Sequence, residues 1–218
     1  MFRKKKSGVD MKLNTLLRQK PRFHGRENAG TADYSISDKV LRWISQNSEP
    51  RGVTLETGCG YSTVVFSLVS SRHTVISPFP QEHELIKKWC LALEHSPDNI
   101  EFIASFSQDV VHTPGDREGP DLDTVLIDGD HAFPAPFIDW YYTADRIKRG
   151  GLLIVDDTQL VTGKILRDFL LAETKRWKCL VEIGKTAVFQ KTTDAPAAKG
   201  VPWIDQPYVN VGMSMHKG

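Results

Sequence analysis

The stretch Leu55-Glu56-Thr57-Gly58-Cys59-Gly60-Tyr61-Ser62-Thr63 follows a short apolar run and fixes the reading of the whole chain. Two glycines one residue apart, at the end of a strand and before a helix, let the backbone turn tightly and approach a nucleotide-like ligand closely. Ser62 or Thr63 can cap the next helix, whose first amides favour a carboxylate or phosphate. Glu56, near the strand end, can meet an amine or orient the turn.

Two further phrases downstream share this position. Val125-Leu126-Ile127-Asp128-Gly129-Asp130-His131 closes one apolar run, and Leu153-Ile154-Val155-Asp156-Asp157-Thr158 closes another. Ligands of open α/β sheets bind beyond the carboxyl ends of the strands. If the two strands are neighbours, Asp128, Asp156 and Asp157 converge, with Asp130 and His131 beside them. Converging carboxylates repel one another unless they are protonated or neutralised by a cation. An oxygen-rich set suits magnesium, calcium or manganese rather than zinc. The structural alternative is that Asp130 and Asp157 cap helices and Asp128 holds a loop. His131 reads as a general base for a hydroxyl, a metal ligand or a packed loop histidine.

Around these phrases strands and helices alternate. Strands are expected at 53–57, 73–77, 100–104, 123–128 and 151–156, and helices from Ser37, then near 62–70, 81–94, 135–148 and 162–174. Gly150-Gly151 is expected to end the helix at 135–148. The rhythm is that of βαβ units around a mostly parallel, doubly wound sheet. Lys178–Ile183 and Thr186–Lys191 are separated only by Gly184-Lys185, which demands a hairpin and hence an antiparallel strand. Residues 1–34 read as an N-terminal arm with a short helix at 10–19; His24 lies on this arm, which is able to cover the site, and the arm is a candidate for pairing two copies. Residues 35–191 read as the core domain and 192–218 as a C-terminal extension.

The 218 residues carry 28 Lys and Arg against 27 Asp and Glu, a net charge of +1 that gives no global attraction to nucleic acid or acidic lipid. No stretch approaches the roughly 20 apolar residues needed to span a membrane. The three cysteines, Cys59, Cys90 and Cys179, are odd in number and widely spaced, against a disulfide framework or zinc cluster. A reduced, cytoplasmic setting is expected, with a small molecule as partner.

A dinucleotide site fits less well. Thr63 stands where G-x-G-x-x-G needs its third glycine, and Val75-Ile76-Ser77-Pro78 offers no acid to a ribose. Ser77 and nearby Arg72 leave an NADP-dependent reductase as an alternative.

These residues resemble the class I S-adenosylmethionine-dependent methyltransferases, and among them the small O-methyltransferases related to macrocin and catechol methylation. The likeness spans roughly 35–191 and is carried by Glu56–Thr63 (E-x-G-x-G-x-S-T), Asp128–His131 (D-G-x-H) and Gly150–Asp157 (G-G-x-x-x-x-D-D). It implies a seven-stranded sheet whose last strand is antiparallel, and methyl transfer from S-adenosylmethionine to a hydroxyl oxygen. It places Glu56, Gly58, Gly60, Ser62, Thr63, Ser77, Phe106 and Asp128 around the cofactor. A divalent cation, magnesium first, would be held by Asp128, Asp156 and Asp157, with Asp128 and His131 acting on the acceptor. Two positions depart from the pattern: Ser77 replaces the acid that meets the ribose, and Ser105-Phe106-Ser107 replaces the segment whose acid meets adenine, although Phe106 can cover the ring. Those departures motivate a further alternative, a non-catalytic binding or scaffold protein on the same fold.

Overall fold

The computed structural model describes residues 2–24, 35–112, 121–202, 204 and 206. Seven strands form one sheet: β1 (Val53–Thr57), β2 (Arg72–Ile76), β3 (Ile100–Ile103), β4 (Leu122–Ile127), β5 (Ile147–Val155), β6 (Trp177–Ile183) and β7 (Thr186–Lys191). Their spatial order is β3-β2-β1-β4-β5-β7-β6, with every pairing parallel except those of β7. The order reverses at β1 and β4, the switch point at which open α/β sheets leave a crevice. Thr57 pairs with Ile127 and Ile127 with Val155, so the segments after β1, β4 and β5 emerge side by side.

The helices are α1 (Phe2–Gln19), α2 (Asp38–Asn47), α3 (Tyr61–Val69), α4 (Pro80–Ala92), α5 (Ser107–Val110), α6 (Ala135–Thr143) and α7 (Val161–Ala172). Strand alternation divides their packing between two faces. Leu126, Ile154 and Val188 point to one side, where they meet buried residues of α1 to α4. Val125, Ile127, Leu153, Val155 and Phe189 point to the other, against α6 and α7. The result is a three-layer α/β/α sandwich with both faces of the sheet covered.

Two elements differ from the sequence expectation. The helix in the N-terminal segment starts at Phe2 rather than near residue 10, and Leu13, Leu16 and Leu17 are buried in the core of their own chain. Leu16 and Leu17 follow Leu13 at helical spacing, and the polar residues around them mask that short stripe in the sequence. The glycine pair does not end a helix. α6 stops at Thr143, a 3₁₀ turn covers Ala144–Arg146, and β5 has already begun at Ile147. Ile147 pairs with Leu122 and Leu152 with Thr124, so Gly150-Gly151 falls inside a bulged stretch of strand. The start of the C-terminal extension after Lys191 is tied down by Asp145, which accepts the backbone N–H groups of Ala197, Ala198 and Lys199. Trp203 and Pro207 of the C-terminal extension, and residues 25–34 of the arm, lie outside the described residues.

No described helix is long and apolar enough to cross a membrane, and all three cysteines are free.

Candidate active site

The turn after β1 and the turn after β4 interlock. Gly58 adopts φ +88°, and a Cβ there would fall inside the carbonyl of Asp128. A Cβ on Gly129 would in turn meet Gly58 N at 3.2 Å. Gly58 is therefore required first by the crossing of two strand ends, and any ligand approaches the surface they form together.

Behind this turn sits a buried polar relay. Gly60 N–H donates to Thr63 Oγ1 at 2.9 Å, and the Thr63 hydroxyl donates to Glu56 Oε1. The same Glu56 oxygen lies 3.2 Å from His73 Nε2, and His73 Nδ1 lies 2.8 Å from Thr54 Oγ1. Glu56 and His73 are both fully buried. Glu56, Ser62 and Thr63 thus stand behind the glycine turn, outside the lining of the cavity, and the acid and the threonine hold its shape. His73 lies near the start of β2, away from the strand ends that border the cavity; its partnership with Glu56 depends on β1–β2 register, which no local signal announces.

In front of the turn opens a cavity of about 1040 Å³. Gly58, Cys59, Ser77, Phe79, Glu82, Phe106 and Ser107 line one part, and Asp128, His131, Asp157, Leu160 and Lys185 line another. Phe106 is 49% exposed, free to lie against a flat ligand. Burial pushes the Cys59 thiol far above its usual pKa, so it stays protonated and is no nucleophile.

At the acidic end, the structure brings Asp128, His131 and Asp157 together, each with a ligand atom within 4.8 Å of the others. Asp157 takes a left-handed backbone, φ +52°, which aspartate tolerates better than most residues. Its Oδ2 is 2.9 Å from His131 Nε2, and its Oδ1 accepts from Lys185 Nζ at 2.6 Å and Gln159 Nε2 at 2.8 Å. The bond from His131, followed by those from Lys185 and Gln159, holds Asp157 well below the ordinary carboxylate pKa. Asp128 goes the opposite way: burial, then the charges of Asp156 and Asp157, push its pKa up. Asp156 is turned from the other two. Its Oδ1 accepts from Thr186, its Oδ2 lies 3.5 Å from Lys185 Nζ, and burial raises its pKa. Asp130 accepts from Ala132 N–H at 2.9 Å and shapes its own loop; it does not cap α6, which begins at Ala135 behind Pro134.

Lys185 is a cavity residue that sequence reasoning missed. It occupies the two-residue β6–β7 hairpin, and the antiparallel return of β7 beside β5 carries it to the acids. Burial opposes its charge, but the hydrogen bond to Asp157 and the charges of Asp156, Asp157 and Asp128 outweigh burial, and its pKa is raised.

The donor set suits a divalent cation in kind: two carboxylates and an imidazole around one point. Three acids face one lysine, leaving two negative charges when all three ionise. Both oxygens of Asp157 are engaged, so an ion entering here would have to displace the Lys185 ammonium.

Residues 55–158 match the family described as a methyltransferase domain, a span that contains all three sequence phrases. Among solved structures, the cofactor-bound Rv0187 from MTB superposes with a TM-score of 0.58 at 17% identity, covering 83% of this chain and 89% of that one. The O-methyltransferase TomG from Streptomyces achromogenes, involved in tomaymycin synthesis and solved with S-adenosylmethionine, gives 0.55 at 15% identity over 85% and 90%. An rRNA methylase from Streptococcus thermophilus gives 0.54 at 12% over 72% and 96%. A comparison with curated proteins found no match. Sheet order, the antiparallel β7 and the matched segment identify a methyltransferase domain of the class I, Rossmann-like fold. The chain accordingly carries a methyltransferase domain at residues 55–158.

Proposed function

We propose that this chain methylates a hydroxyl oxygen of a small molecule, with a divalent cation, magnesium or manganese, assisting at the acids. The observation that carries this reading is the shared cavity: the glycine turn at Gly58–Cys59 and the Asp128–His131–Asp157 group line the same space. In the reaction the methyl carbon's bond to sulfur breaks as its bond to the acceptor oxygen forms; sulfur keeps the electron pair and the hydroxyl loses its proton. In-line displacement needs no covalent protein intermediate, so positioning and exclusion of water are the protein's contribution. Asp128 and Asp157 would hold the cation, whose Lewis acidity would lower the pKa of the acceptor hydroxyl. With Nε2–H donated to Asp157, His131 keeps Nδ1 as its basic nitrogen to take the hydroxyl proton. The donation from Thr162 Oγ1 to the His131 carbonyl, at 2.5 Å, anchors that loop to the start of α7.

The surroundings favour a compact acceptor with an apolar body. Leu160 lines the cavity, and Phe133 and Val161, 75% and 73% exposed, flank it in sequence beside His131 and Leu160. A floor of carboxylates and a net charge of +1 disfavour a phosphate backbone.

Calorimetry with S-adenosylhomocysteine, with and without magnesium or manganese, tests the cofactor half of this reading. Transfer to a panel of phenols and catechols tests the rest. Binding at micromolar to sub-millimolar level and metal-stimulated O-methylation are expected. A wild-type protein that binds neither S-adenosylmethionine nor its demethylated product at millimolar concentration would leave only a non-catalytic role for the fold.

A further inference from the structure

β2 ends without an acid. Ile76 is followed by Ser77 and Pro78, all three on the cavity wall. An adenosyl group presents two neighbouring ribose hydroxyls, and a lone serine hydroxyl is a modest partner for them. A carboxylate stands slightly further along the chain. Pro80 opens α4 and sets Glu82 in its first turn, where its side chain is 13% exposed and lines the same cavity as Gly58 and Ser77.

Only one of its oxygens is engaged by the described residues. Oε2 lies 3.1 Å from His24 Nδ1 and 3.3 Å from Cys59 Sγ. Cys59 Sγ is also 3.4 Å from Ser77 Oγ, so Glu82, Cys59 and Ser77 form one polar row across the ends of β1 and β2. His24 arrives from the segment after α1 and lies over the glycine turn, where a Cβ at Gly60 would stand 3.0 Å from its Nε2. A cavity-lining carboxylate pinned through one oxygen, with the second left unengaged by the described residues, is pre-organised to accept from a ligand. No catalytic task assigned to Asp128, His131 or Asp157 calls for it.

We propose that Glu82 accepts the ribose hydroxyls of the adenosyl cofactor, replacing the acid that β2 lacks, and that His24 is the positioning residue that aims it. This rests on the methyltransferase reading above. Glu82 lies five positions beyond Ser77, inside a helix, which is why a search at the strand end does not find it.

The test is calorimetric titration of S-adenosylhomocysteine and its 2′-deoxy and 3′-deoxy analogues against the full-length wild type, Glu82→Gln and His24→Ala. A charge-assisted hydrogen bond predicts about a tenfold or greater loss of affinity when the accepted hydroxyl is deleted from the ligand. Glu82→Gln should lose a similar factor for S-adenosylhomocysteine while binding the deoxy analogue as the wild type does. His24→Ala should show a smaller loss, confined to the ligand that retains the hydroxyl. Equal losses for all three ligands in Glu82→Gln would assign it a structural role and overturn the proposal. Wild type binding all three ligands equally would also overturn it, without need of a folded variant. Absence of any binding to the wild type would instead overturn the methyltransferase reading, and this inference with it.

Discussion

Lys185 Nζ lies 2.6 Å from Asp157 Oδ1, placing a hairpin residue of the sheet's far strands inside the acidic end of the cavity. A lysine in that position neutralises carboxylates that would otherwise repel one another, and it competes with any added cation for the same oxygen.

Replacing Lys185 by Met should therefore destabilise the metal-free protein by about 2 kcal/mol, because Asp156 and Asp157 lose their counter-charge in a poorly solvated place. The same variant should gain more thermal stability from manganese than the wild type does, since the ion no longer displaces an ammonium group. Differential scanning calorimetry with and without the metal reads both effects. Absence of any manganese-dependent shift in either protein would remove the proposed metal role.

His131→Ala should lower the methyl-transfer rate by roughly 10²–10⁴-fold, the range of general-base contributions. Affinity for S-adenosylhomocysteine should stay near the wild-type value, because the imidazole faces Asp157 at the acidic end. Turnover measured beside calorimetry separates the two. An unchanged rate would take the proton-accepting role away from this residue.

Asp139 offers a pH test independent of the reaction. It lies fully buried in α6, neither carboxylate oxygen has a well-formed hydrogen bond, and burial raises its pKa to about 6. The folded protein thus binds a proton that the unfolded chain releases, so this group's contribution to stability falls as pH rises from about 4 to about 6 and is level above that. Asp139→Asn should remove this slope and leave the variant more stable at pH 7, by up to about 3 kcal/mol. Urea unfolding of both proteins across that pH range checks the sign; identical pH profiles would contradict it.

Gly58→Ala should cost about 3 kcal/mol or more, combining a positive φ with a collision against the Asp128 carbonyl. Chemical denaturation gives the magnitude. Cofactor binding should be lost along with it.

The fold was largely legible because each strand and helix carries its own period. Val125 and Ile127 face one layer and Leu126 the other, and the two-residue link at Gly184-Lys185 admits only an antiparallel return. The start of β5 was not legible, since Gly150-Gly151 signals a helix end and a strand bulge equally well. Within the cavity, residues at strand ends were readable because βαβ topology sends them to one edge. Lys185, His24 and Glu82 reach that edge from a hairpin, an N-terminal segment and a helix turn. Their arrival depends on long-range packing that leaves no local period. His24 was recognisable only as lying on a segment able to cover the site.

The interlock of Gly58 with Asp128 joins the glycine-turn end and the acidic end of the cavity through backbone alone. Neither end can drift without dragging the other. Adaptation to a new acceptor is therefore channelled to the side chains that follow the locked turns, Phe133, Leu160 and Val161, whose exchange leaves that frame untouched.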